Sequence, residues 1–109
     1  MSTSQKLFTQ AKTRIPGGVN SPVRAFQAVA GEPIYFDSGK GAVMTDVDGK
    51  QYIDYVGSWG PLILGHTPDV VTQALQKQIS KGTSFGTPTE HAVVMAEKLC
   101  ACLPSMDMV

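Results

Sequence analysis

The sequence predicts an α+β chain in the order helix, antiparallel hairpin, helix, helix. Three observations carry that class. Apolar residues recur at helical spacing in three separate stretches. A β-prone stretch folds back about Asp48-Gly49, a strong hairpin signal. The eleven glycines and seven prolines cluster between these stretches, where they act as punctuation.

The first helix is expected from about Ser4 to Ile15, with Leu7, Phe8, Ala11 and Ile15 on one face. Ser2 or Ser4 suits its cap, and Pro16-Gly17-Gly18 stops it. A loop from Gly17 to Phe26 follows. Strands are expected at Ile34–Phe36, Ala42–Thr45 and Gln51–Val56, two or three of them antiparallel. Gly57 to Gly65 reads as an apolar loop punctuated by glycine and holding Trp59. The second helix is expected to start at Thr67 or Pro68, since proline suits a first helical position. Val70, Val71, Ala74, Leu75 and Ile79 form its stripe, and Lys81-Gly82 close it. Thr87-Pro88-Thr89-Glu90 fits a capping box for the third helix. Ala92, Met95, Ala96, Leu99 and Leu103 make that helix's stripe, and Pro104 ends it.

Three strands at most and three one-sided helices leave several apolar faces in need of a partner. The chain ends on the apolar run Met106-Asp107-Met108-Val109. We therefore expect residues 1–109 to be the front segment of a longer protein, not a complete autonomous domain.

Composition narrows the function classes. Apolar residues are 42% and charged residues 17%, which suits a globular chain. Nine basic and nine acidic residues give a formal net charge of zero, so there is no general attraction to nucleic acid or to an anionic membrane. No stretch approaches the ~20 apolar residues of a membrane span, and no apolar run follows Lys6 as in a secretory signal. Cys100 and Cys102 lie two apart, about 200° from each other on a helix, which fits no disulfide framework and no zinc spacing. A reducing, cytoplasmic setting is expected, with no metal. Ser38-Gly39-Lys40-Gly41 lacks the flanking glycine and hydroxyl of a phosphate loop and reads as a turn. Asp46-Val47-Asp48-Gly49 lacks the further ligands of a calcium loop.

Three features carry chemistry. The loop Gly17-Gly18-Val19-Asn20-Ser21-Pro22-Val23-Arg24 holds one hydroxyl and one guanidinium. Arginine grips a carboxylate with two parallel hydrogen bonds, so Arg24 is a carboxylate ligand or else a structural ion pair. Gly57-Ser58-Trp59-Gly60-Pro61 sets the one tryptophan between glycines, as a pocket wall or a loop plug. The loop Gly82 to Glu90 is an anion site at a helix N-terminus or simply a capped connection.

Together these segments resemble the glutamate-1-semialdehyde 2,1-aminomutases, within the class III pyridoxal-phosphate aminotransferases. The resemblance rests on Pro16 to Phe26, on Asp46-Val47-Asp48-Gly49 followed by Tyr52 to Pro61, on Leu64-Gly65-His66, and on Ser84 to Glu90. The Asn-Ser-Pro-Val-Arg and Gly-Ser-Trp-Gly-Pro runs are the specific ones. It implies the α/β type I fold of pyridoxal 5'-phosphate enzymes and a homodimer. It implies conversion of glutamate 1-semialdehyde to 5-aminolevulinate, a tetrapyrrole precursor, by amine exchange through the cofactor. It also implies that Arg24 pairs with the substrate carboxylate, that Ser21 adds a hydrogen bond to it, and that Trp59 walls the pocket. The cofactor's phosphate loop and its lysine are expected past Val109, so no catalytic residue is expected in these 109 residues, and these alone are expected to be inactive. One departure is that Thr67-Pro68 follows His66 directly, where the family usually has one residue more. That is harmless if Thr67 caps the second helix. The rival expectations are a class III ω-aminotransferase using an external acceptor, and a non-catalytic remnant or interaction module.

Overall fold

A computed structural model describes all 109 residues. The chain divides into two units, residues 1–72 and 73–109, with the division inside the second helix.

In the first unit, helix α1 spans Thr3–Ala11. Ser2 starts it: the Ser2 hydroxyl accepts from Gln5 N at 3.2 Å, and Gln5 Oε1 accepts from Ser2 N at 2.9 Å. Asp48, from the hairpin, accepts the N–H groups of Thr3 at 2.7 Å and Ser4 at 3.1 Å. These are donors that no helix can satisfy for itself. They hold the Asp48 carboxyl at about 2, below its ordinary 3.8, with the Thr3 side chain the first cause and the two N–H groups next. Helix α1 stops four residues before the expected Ile15. Residues 12–15 continue as separate turns on the carbonyls of Phe8, Gln10 and Ala11.

The sheet has the order β1 (Phe36–Lys40), β2 (Val43–Asp46), β3 (Gln51–Ile53), all antiparallel. Lys40 pairs with Val43 across a tight turn at Gly41-Ala42, and Thr45 pairs with Gln51 across the Asp48-Gly49 turn. Gly49 takes φ +85° there. The hairpin expected about Asp48-Gly49 is therefore present. Asp46, only 6% exposed, organises it. Its Oδ1 accepts from Asp48 N and Lys50 N at 2.9 and 2.8 Å, and its Oδ2 accepts from the Tyr52 hydroxyl at 3.0 Å. The first strand differs from expectation. It takes in Asp37 and the Ser38-Gly39-Lys40 read as part of a turn, and leaves out Ile34-Tyr35. Pairing with β2 outweighs the weak β propensity of those residues, and a register shift between Phe36 and Ser38 absorbs the mismatch. The last strand ends at Ile53, short of Val56.

Helix α2 spans Asp69–Ile79, one residue past the expected start. Thr67 is left-handed at φ +44° and cannot belong to the helix. Nor does it cap it: its hydroxyl donates to Gly39 O at 2.9 Å. The Pro68 carbonyl receives Val71 N and Thr72 N instead. Lys40 Nζ holds Asp69 Oδ1 at 2.7 Å across an exposed ion pair.

In the second unit α2 closes with Gln78 Nε2 donating to Gly82 O at 2.8 Å. Helix α3 spans Glu90–Cys102. The expected box about Thr87 moves two residues on: Thr89 is the cap, its hydroxyl accepting from Ala92 N. The loop before α3 is thus a capped connection.

Apart from Pro33, no apolar side chain of the chain is buried. Val70, Leu75 and Ile79 of α2 and Val93, Met95 and Leu99 of α3 are all exposed. The apolar stripes lie on helices as expected, with nothing in the chain covering them. No helix is long and apolar enough to cross a membrane.

Candidate substrate-side pocket

Gly17 and Gly18 turn the chain sharply after α1, both left-handed at φ +71° and +73°. A Cβ on Gly18 would lie 2.7 Å from the Phe8 ring, so only glycine lets the loop pass this close to α1. The loop then tightens into a short turn, Pro22–Ala25, with Arg24 N bonded to Ser21 O at 2.9 Å. Its geometry sets Arg24 at the edge of a cavity of about 750 Å³.

Trp59 reaches the same cavity from the other side of the sequence, with Ser58, Val56 and Leu62 beside it. Phe36 and Met44 bring the sheet to it, and Ile15 the end of the first helical segment. Walls of this kind, mostly apolar with a few polar groups converging, suit a small organic ligand. Arg24 takes part in neither of the chain's two ion pairs, so its guanidinium fork is open to a carboxylate. The structure therefore brings Arg24 and Trp59 together. Ser21 is half-buried just behind Arg24 and does not line the cavity. Its link to the site runs through the backbone of the turn.

Two lining residues escaped the sequence reading. Asp54 Oδ2 and His66 Nε2 lie 2.7 Å apart, with 5% and 21% of their side chains exposed. Asp54 Oδ1 accepts from Val56 N at 2.8 Å and Gly57 N at 3.0 Å. Those two N–H groups first, and then His66, hold the Asp54 carboxyl below the usual carboxylate range. His66 is seated by an isolated bridge to Gly41, with N···O distances of 3.0 and 2.8 Å. Its ring lies against Gly39, where a Cβ would come within 2.6 Å of it. In sequence the two residues stand twelve apart and each looks solitary. The one available signal is a pair of glycines: Gly39 clears space for the His66 ring, and Gly65 lets the chain before His66 pass close to the Gly41 backbone.

No lysine lines the cavity. The residues present suit a carboxylate and an apolar body, and they offer no amine to anchor a carbonyl cofactor.

A family model for class-III aminotransferases matches residues 26–109. The chain is 59% identical over all 109 residues to a glutamate-1-semialdehyde 2,1-aminomutase of Legionella pneumophila, covering 25% of that protein. It is 57% identical over 107 residues to the enzyme of the same name from Nitrosomonas europaea, covering 98% of this chain and 25% of that one. Among solved structures, an omega-transaminase from Sphaerobacter thermophilus superposes with a TM-score of 0.86 at 34% identity, over 98% of this chain and 24% of its own. A glutamate-1-semialdehyde aminomutase from Pseudomonas aeruginosa superposes with a TM-score of 0.77 over 90% of this chain and 21% of its own; at 24% identity it speaks to the fold alone. The chain thus spans about a quarter of the length of the curated relatives it matches. With its helices and three-stranded antiparallel sheet laid out as in transaminase structures and a family match over most of its length, the chain belongs to the class-III aminotransferases.

Proposed function

We propose that residues 1–109 are the N-terminal segment of a glutamate-1-semialdehyde 2,1-aminomutase and supply the substrate side of its pocket. The observation that carries this is 59% identity to a protein of that name over all 109 residues of this chain. The exposed apolar stripes of α2 and α3 support a segment that packs on further chain, in a homodimer. The two closely spaced thiols, Cys100 and Cys102, fit a cytoplasmic setting.

The reaction moves an amine from carbon 2 to carbon 1 of a five-carbon acid, with the carbonyl moving the other way and nothing oxidised overall. Pyridoxal 5'-phosphate, when bound, would supply the electron sink and the carried amine. This segment offers it no anchoring lysine, so its residues act on the substrate instead. Arg24 holds the distal carboxylate with its planar fork, and Ser21, behind the wall, bears on it only through its backbone carbonyl, which accepts Arg24 N in the same turn. Trp59 closes the apolar flank, keeps water away and limits the tilt of the carbon chain. Holding one end of a flexible acid is what aligns the other end for amine exchange.

The test uses the full-length protein with glutamate 1-semialdehyde and no external keto acid. Formation of 5-aminolevulinate under those conditions supports the reading. Turnover only when an outside amino acceptor is added would instead make this an ordinary transaminase. Arg24→Ala is expected to lower kcat/KM by roughly 30- to 1,000-fold, about 2–4 kcal/mol, because the substrate carboxylate loses its partner. Arg24→Lys keeps the charge and loses the fork, so it recovers only part of that loss. An unchanged kcat/KM in Arg24→Ala shows that the arginine is structural.

A further inference from the structure

We propose that Asp54 and His66 act as a positioning pair for Trp59, locking the turn that presents the indole to the cavity. Three consecutive residues, Gly57, Ser58 and Trp59, are left-handed, at φ +55°, +53° and +67°. Glycine adopts that region freely; serine and tryptophan do so at a cost. A run of three persists only where its surroundings hold it. The holding groups are visible. Asp54 Oδ1 gathers the N–H of Val56 and of Gly57 at the entrance to the turn. Its other oxygen takes Nε2–H of His66 at 2.7 Å. His66 is fixed in turn by its backbone bridge to Gly41 and by the close fit of its ring to Gly39. The chain from sheet to tryptophan is therefore β1, His66, Asp54, the left-handed turn, the indole.

Within residues 1–109 packing does not place Trp59, which is 74% exposed. Its position follows from its backbone, and its backbone follows from Asp54. Within the turn itself only three backbone hydrogen bonds are made, from Trp59 N, Gly60 N and Leu62 N, at 3.1 to 3.2 Å. The proposal rests on the aminomutase reading only for what the indole faces, not for how it is held.

The experiment labels the full-length protein with 5-fluorotryptophan and follows the Trp59 resonance by 19F NMR, assigned through Trp59→Phe. His66→Phe keeps a ring over Gly39 and donates nothing; His66→Gln keeps an amide N–H for Asp54. The expected result is a shifted or split Trp59 signal in His66→Phe and a near-native one in His66→Gln. In kinetics, His66→Phe should raise KM by about ten- to a hundredfold and change kcat less, as expected for a misplaced wall. In a Trp59→Ala background the same substitution should change KM no further. If His66→Phe does not fold, Asp54→Ala carries the same readout, since it removes both the acceptor for the turn and the partner of His66. An unmoved Trp59 signal, or a KM effect that persists in full without Trp59, overturns the proposal. A protein with no aminomutase turnover whose Trp59 signal still depends on residue 66 retains the clamp and loses the functional reading.

Discussion

Replacing Gly39 with alanine tests how the pocket is held together from a residue outside it. A Cβ built on Gly39 falls 2.6 Å from His66 Cγ, 2.8 Å from Nδ1 and 3.0 Å from Cβ. These atoms lie at the root of the ring, so no rotation of a flexible tip relieves the overlap. The ring is tied at Nε2 to Asp54, and the His66 backbone is bridged to Gly41, so it cannot slide away without breaking one or the other. Gly39 is not left-handed, so the cost is steric alone. Overpacking of this kind costs about 1–3 kcal/mol. That corresponds to about a fivefold to more than a hundredfold rise in local opening, taking 1.4 kcal/mol as tenfold. Hydrogen exchange by mass spectrometry on the full-length protein reads it directly. Peptides covering residues 54–66 should lose protection by that factor, while peptides from α3 serve as the internal control. Unchanged exchange over 54–66 in a folded Gly39→Ala protein refutes the reasoning, because it means the loop is not held through His66.

Gly18→Ala meets the Phe8 ring at 2.7 Å and Lys12 Cγ at 2.9 Å, at φ +73°. Steric and backbone strain act together there, so a lower thermal midpoint and a weakened response to substrate analogues are expected, read by differential scanning fluorimetry with and without ligand. Asp48 is held at about 2, so its contribution to stability is complete above its ordinary 3.8 and is lost as pH falls from about 4 toward 2. Asp48→Asn should be less stable at neutral pH and flatter across that window; acid titrations of the two proteins followed by circular dichroism should converge near pH 2. Parallel curves with a constant offset would show that the Asp48 charge is not what caps α1.

Local rules made much of the fold legible. Ser2 caps α1 through the box it forms with Gln5, and Asp48-Gly49 turns the hairpin. The glycine after Lys81 closes α2. Each of these is an interaction between residues a few positions apart. Where the reading missed, a distant partner decided. Strand β1 runs through Ser38 and Gly39 because β2 offers it a ladder. Helix α2 starts at Asp69 because Thr67 turns its hydroxyl to Gly39, 28 residues earlier. Arg24 and Trp59 stood out in sequence by residue type and by glycine context, and they do line one cavity. Ser21 stood out equally and lies behind the wall.

The sequence by itself determined the order of elements, the apolar stripe on each helix and the family, since all three are written in spacing and in contiguous motifs. Tertiary structure alone decided that Asp54 and His66 form a pair and that Asp48 belongs to α1. It also decided that a left-handed turn carries the tryptophan. The physical reason is the same in each case. A short hydrogen bond between residues 12 or 45 positions apart leaves no period in the chain, and exists only once the sheet has brought its ends together.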